Sequence, residues 1–300
     1  MKPAQGCSQQ QEQGVKASSE WLETTNAEFS PGLGQWGCAQ LTNYTVAYRE
    51  WGEGQPLVLV PGLAGGFELL GPLARCLARR FRVISYNLRG EDDCFALRRR
   101  FGLPDLVEDL LEFIDWHCLE RPVLFGVSFG GVLALEFAAR HAKRLSGLAV
   151  QGVGARYERG LVQRLASAVL CRYPLPPDNP FVNQFFNLVL GGPQQPGPLF
   201  EFVTRQFWQT DQSVMAHRFQ LTEEFDVQNR TDRIATPTLL MAGDRDVLVS
   251  SRSLRSLNEG IRGSQLVRLP GSGHFAFVTD PSRVADEVTR FWDGVRVEAN

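Results

Sequence analysis

A chain of 300 residues is long enough for one large domain with a sizeable core, with or without an inserted subdomain. Its 43% hydrophobic and 21% charged residues are the proportions of a soluble globular protein, and a formal net charge of −2 with no large basic block argues against a nucleic-acid partner. Six cysteines at positions 7, 38, 76, 94, 118 and 171 show no C-x-x-C spacing and no accompanying histidine cluster, so reduced thiols are expected rather than a zinc site or a disulfide framework.

Residues 1–30 are rich in Gln, Ser and Glu with few apolar anchors, and read as a disordered tail. They lack the apolar stretch of a signal peptide. No segment reaches the roughly 18 apolar residues of a membrane span, so no membrane span and a cytoplasmic protein are expected. From Trp36 to Trp51 the chain alternates like a strand, and "GEGQP" follows as a turn. A rhythm then begins. "PLVLVPG", "FRVISYN", "PVLFGV", "LSGLAVQGV", "TPTLLMAG" and "SQLVRLPG" are nearly continuous apolar runs, as expected for strands buried on both faces of a parallel sheet. Helical patterns separate them, in "ELLGPLARCLARR", "LPDLVEDLLEFIDWHCL" and "GGVLALEFAARHAKR". This alternation predicts an α/β fold with a mostly parallel central sheet flanked by helices. Residues 155–231 break the rhythm with helical, aromatic-rich pieces and Pro/Gly linkers, and predict a helical insertion before the late strands. The core then comprises 31–154 and 232–300.

The run "PVLFGVSFGG" sets a lone serine between glycines where a buried strand meets a helix. Gly126-x-Ser128-x-Gly130 is the pattern of a nucleophile elbow, a tight strand–turn–helix that projects the hydroxyl above the sheet. Glycine two positions before and two after spares the neighbouring backbone a Cβ. A serine hydroxyl needs a base. Of four histidines, His117 and His141 belong to helices, and His217 falls in the insertion, where packing is its expected role. His274, in "LPGSGHFAF", occupies a Gly-rich loop after the last strand, where α/β sheets carry their chemistry. An imidazole base needs a carboxylate to fix its tautomer. "MAGDRDVLV" offers Asp244 and Asp246 just beyond a strand, and proximity alone does not separate them.

The order Ser…Asp…His, with the elbow "GVSFGG", the acid loop "GDRD" and the histidine loop "GSGHF", resembles the α/β-hydrolase superfamily over residues 36–295. The resemblance favours Asp246, which stands third after the strand-ending Gly243. It implies an oxyanion hole made by the backbone N–H groups of Phe129 and Leu63, the latter in "VPGLAGG". Pro61 there replaces the family's usual histidine, while Gly62 is kept. In "YNLRGEDD", Asn87 replaces an aspartate common in relatives, while Arg89 and Gly90 remain; this loop reads as structural. The insertion resembles the helical cap of such enzymes, and its Phe185, Phe186, Phe207 and Trp208 are candidates for a substrate pocket or, equally, for the cap's own core.

A serine at the elbow argues against the dehalogenases and epoxide hydrolases, whose nucleophile is a carboxylate. The expectation is therefore a serine hydrolase cleaving small-molecule carboxylic esters, needing neither cofactor nor metal, since one histidine, one carboxylate and one serine do not make the three protein ligands of a catalytic zinc. A cofactor-free haloperoxidase, a C–C bond hydrolase and a hydrolase-like small-molecule receptor share the pattern and remain open.

Overall fold

The computed structural model describes residues 34–91, 100–158, 160–168, 180–192 and 197–299. The expected N-terminal tail lies outside them. The alternating stretch from Trp36 to Trp51 is two strands rather than one, β1 (Gln35–Gln40) and β2 (Thr45–Trp51), paired antiparallel from Gln35 opposite Glu50 to Gln40 opposite Thr45. Leu41 and Tyr44 close the turn between them through an N–H to carbonyl bond of 2.9 Å. The polar "TN" at its tip fits the alternation on either side, which is why pattern alone runs the two strands together.

The other strands are β3 (Gln55–Val60), β4 (Phe81–Tyr86), β5 (Val123–Val127), β6 (Gly147–Gln151), β7 (Thr238–Gly243) and β8 (Gln265–Leu269). They form one eight-stranded sheet in the order β1-β2-β4-β3-β5-β6-β7-β8. From β4 to β8 every pairing is parallel, and only the β1–β2 and β2–β4 pairs are antiparallel. Every residue of β5, β6 and β7 is buried, which explains the unbroken apolar runs.

Side chains alternate between two cores. Leu57, Leu59, Phe125, Val127 and Met241 face one; Val58, Val60, Leu124, Val150 and Leu240 face the other. The first core is covered by α1 (Gly66–Leu69), α2 (Gly71–Leu77) and the C-terminal α11 (Pro281–Ala299), which brings Phe291 and Trp292. The second is covered by α3 (Leu103–Trp116) and α4 (Phe129–His141). In α3 the Asp105 carboxylate accepts the Gly102 N–H at 2.6 Å and Pro104 stands in the first turn, so the helix start is fixed locally. Leu106, Val107, Leu110, Phe113 and Ile114 then repeat at three- and four-residue spacing and are all buried. Each such side chain stabilises the fold by roughly 1.5–3 kcal/mol.

Among the described residues between β6 and β7 are the α-helices α5 (Leu161–Ser167), α6 (Pro180–Val189), α7 (Pro198–Phe207) and α8 (Gln212–Glu224). Beyond β7 come α9 (Ser251–Gly260) and, after β8, the short α10 (Ala276–Thr279). The strand order reverses at β3, which has β4 on one side and β5 on the other. In an open parallel sheet the crevice beyond the strand ends at such a point is where ligands bind.

Candidate active site

Ser128 follows β5 and caps α4 with φ 51° and ψ −115°, a left-handed φ that a non-glycine residue adopts only under constraint. The constraint is visible. Its N–H donates to the Gln151 carbonyl at 2.8 Å, and its carbonyl accepts the N–H groups of Gly131 at 2.8 Å and Val132 at 3.1 Å. The flanking glycines have no room for a side chain. A Cβ on Gly126 would lie 2.2 Å from the Gly130 carbonyl oxygen, and one on Gly130 would lie 2.3 Å from that of Val60. The turn therefore brings the serine hydroxyl above the sheet at the head of α4.

His274, in the loop between β8 and α10, is only 4% exposed. Its Nε2 lies 2.8 Å from Ser128 Oγ and its Nδ1 lies 2.9 Å from Asp246 Oδ2. Asp246 is the carboxylate that reaches it; Asp244 is exposed and its backbone N–H bonds to the Leu269 carbonyl. The second oxygen of Asp246 accepts the N–H groups of Leu248 at 2.8 Å and Val249 at 3.1 Å. Burial alone would push this carboxyl up, but the His274 imidazole and the backbone donors outweigh it and hold the group below its ordinary range. An ionised Asp246 accepts from Nδ1–H, which leaves Nε2 as the nitrogen free to take a proton from Ser128.

Gln151, at the end of β6, was not singled out from sequence. It is fully buried, its carbonyl anchors the Ser128 N–H, and its Nε2 donates to the His274 carbonyl at 3.0 Å. Its only sequence signal is its place at the carboxyl end of a central strand.

Leu63, in the loop after β3, lines the cleft with Ser128 and Phe129. Gly62 lies beside the elbow, where a Cβ would make ordinary contact with the Val127 carbonyl at 3.5 Å and with the Ser128 Cβ at 3.7 Å. The Leu63 N–H meets no backbone or side-chain acceptor among the described residues. Phe129 opens α4, so its N–H has no intrahelical carbonyl to meet. Leu63 and Phe129 thus border the cleft together with Ser128, Phe129 at the positive end of a buried helix.

Of the four aromatic candidates, Phe185 and Phe207 line the cleft. Phe186 and Trp208 are not among its lining residues. Each directly follows a cleft-facing phenylalanine, and one step along a helix turns a side chain by about 100°. They pack instead in an aromatic cluster, with Phe186 5.2 Å from Phe207 and 6.5 Å from Trp208 between ring centres. Val132, Val153, Phe219, Phe225, Leu248 and Phe275 complete a mostly apolar wall. His217 is remote from this chemistry, with its Nε2 2.6 Å from the Phe101 carbonyl oxygen. Asn87 accepts the Phe67 N–H at 3.2 Å, and Arg89 forks onto Asp109 at 2.5 and 2.7 Å, so the "YNLRG" loop is tied into the scaffold. Among the described residues no three His, Cys, Asp or Glu side chains converge as a metal site. No helix among them is long and apolar enough to cross a membrane.

The sequence pattern of one family, described as the alpha/beta hydrolase fold, matches residues 55–281. The chain belongs to that family. An uncharacterized protein of Mycobacterium tuberculosis is 28% identical to this hydrolase-fold chain over 270 residues, covering 83% of it and 79% of the relative. A pimeloyl-[acyl-carrier protein] methyl ester esterase of Nitrosospira multiformis is 23% identical over 254 residues, covering 80% and 95%. The crystal structure of a bacterial membrane phospholipase A superposes with a TM-score of 0.78 at 24% identity, over 95% of this chain and 92% of the other, a likeness of fold.

Proposed function

We propose that this α/β-hydrolase cleaves carboxylic esters of small molecules through Ser128, His274 and Asp246. The observation that carries the reading is the unbroken hydrogen-bond chain from Ser128 Oγ to His274 Nε2 at 2.8 Å and from Nδ1 to Asp246 at 2.9 Å. Ser128 Oγ attacks the ester carbonyl carbon as its proton passes to His274 Nε2. The carbonyl oxygen becomes an oxyanion held by the Leu63 and Phe129 N–H groups, each such donor being worth roughly 3 kcal/mol in the transition state. His274 returns the proton to the departing alkoxide, leaving an acyl-serine. Water then gives a proton to the same nitrogen and attacks the acyl carbon; the acid leaves and Oγ recovers its proton. The helices between β6 and β7 act as a cap over an apolar acyl site bordered by Phe185, Phe207 and Phe275. An esterase name on one relative agrees with this chemistry.

The test is a panel of p-nitrophenyl esters of increasing acyl length, with a fluorophosphonate probe, on the wild type and Ser128→Ala. Turnover and one-to-one labelling in the wild type, with loss of several orders of magnitude in kcat and of all labelling in the variant, is expected. Equal turnover in Ser128→Ala would sink the assignment. Binding without turnover of any ester would favour the receptor reading.

A further inference from the structure

The loop that carries Leu63 is gripped from the helices inserted between β6 and β7. Arg218, on α8, is 0% exposed, and its guanidinium has three partners. Nη1 donates to the Leu63 carbonyl at 3.0 Å and pairs with the Glu91 carboxylate, and Nη2 donates to the Arg89 carbonyl at 2.7 Å. Thr210, just before α8, is 2% exposed. Its hydroxyl oxygen accepts the Gly65 N–H at 2.9 Å and its O–H donates to the other oxygen of Glu91 at 2.7 Å. One carboxylate thus ties together two side chains of the insertion. Those side chains hold the Leu63–Gly65 backbone at a carbonyl and at an amide.

We propose that Arg218 and Thr210 are positioning residues that fix the direction of the Leu63 N–H, so that the inserted helices complete the oxyanion hole. This rests on the ester-hydrolase reading of the site. The physical argument has two parts. The Leu63 carbonyl and the Leu63 N–H flank the same Cα, so holding the first restricts the ψ of the residue that presents the second. A backbone donor stabilises an oxyanion only when it is aimed at the place where that charge develops, and an error of about 1 Å can cost on the order of 100-fold in rate. In addition, a buried Arg–Glu pair is a weak source of stability, because desolvating both ions offsets most of their attraction. Its Nε is buried without a hydrogen-bond partner, so the guanidinium is not optimised for its own satisfaction. What the pair does supply is a rigid fork aimed at the carbonyl of Leu63, in the cleft, and at that of Arg89, in the scaffold loop beside it.

The decisive variants are Thr210→Val, which keeps the volume and removes both hydrogen bonds, and the paired Arg218→Met/Glu91→Leu, which leaves no unpartnered buried charge. Each is compared with wild type, Thr210→Ser and Ser128→Ala on a p-nitrophenyl ester, with melting temperature measured alongside. A trifluoromethyl ketone, which forms a hemiketal oxyanion on the serine, reports on the hole itself. Thr210→Val is expected to lose about 10- to 100-fold in kcat with KM changed less than about threefold. Its affinity for the ketone should fall in parallel, and Thr210→Ser should restore both. The paired variant should show the same split. Wild-type kcat and ketone affinity in a folded Thr210→Val would overturn the inference while leaving the ester-hydrolase reading intact. Losses that follow melting temperature and are not restored by serine would overturn it too. If wild type neither turns over esters nor binds the ketone, the reading of the site fails and this inference falls with it.

Discussion

Two aspartates two residues apart in one loop differ in everything that matters to an imidazole. Asp246 is buried against His274 with three hydrogen bonds, whereas Asp244 is exposed. Asp246→Asn should lower kcat by roughly 10³ to 10⁴ by favouring the wrong tautomer of His274. Asp244→Asn should lower it less than about threefold, as expected for an exposed side chain away from the reacting atoms. Steady-state kinetics on one ester would decide, and the reverse ranking would mean that the loop register is wrong. The carboxyl of Asp246 is held below its ordinary range despite burial, so it stays ionised through neutral and mildly acidic pH. The stability it contributes is present above the unfolded carboxyl value of about 3.9 and is lost as pH falls through its lower folded value. Its own titration should therefore leave no mark on kcat near neutrality.

At the scale of elements, what was legible in the sequence followed the range of the interaction. The buried strands announce themselves because each residue of β5, β6 and β7 is packed on one face or the other. The elbow is legible because its pattern is contiguous: Gly126 is demanded by the backbone of Gly130 four residues on, and Gly130, though demanded by Val60 and Pro61 at the end of a distant strand, stands at a fixed place in the same short turn. The turn at Leu41–Tyr44 was not, since alternation continues through it. Arg218, Thr210 and Glu91 carry no local signal: they meet across more than a hundred residues of chain, and only the folded sheet brings them together. The end of α3 shows a further consequence of long-range packing. His117 stacks edge-on with Tyr48, Phe113 and Trp116, and burial pushes it from 6.5 to about 4. The folded state therefore holds this imidazole neutral while the unfolded chain protonates it. Stability is full above pH 6.5 and declines as pH falls from there toward about 4. The slope is at most about 1.4 kcal/mol per pH unit, and less after solvent screening of a half-buried ring. His117→Gln should flatten this part of the pH–stability curve in urea titrations at pH 7, 6 and 5. An unchanged slope would show that other groups set it.

On the scale of the whole molecule, the described helices between β6 and β7 share their core with the sheet. Phe185, Phe186, Val189, Val203, Phe207 and Phe219 are continuous with Leu57, Leu59, Phe125 and Val127 of the sheet in one apolar cluster. Phe186 is the joint. It is 1% exposed, and its ring centre lies 5.2 Å from Phe207, 6.3 Å from Phe200 and 6.5 Å from Phe275, the residue after His274. A shared core predicts shared unfolding, because the insertion cannot melt without exposing the face of the sheet it covers. Hydrogen exchange at amides of α6 and α7 and at those of β5 should therefore lose protection over the same range of denaturant. Phe186→Ala should destabilise the protein by about 3 to 5 kcal/mol. With 2 to 4 °C per kcal/mol for a domain of this size, the melting temperature should fall on the order of 10 °C. The transition should stay single, with an unchanged denaturant slope, because the surface exposed on unfolding is nearly the same. A separate early transition in the wild type, with exchange in α6 and α7 ahead of β5, would mean that the inserted helices form an independent unit and that the aromatic joint couples them only weakly to the sheet.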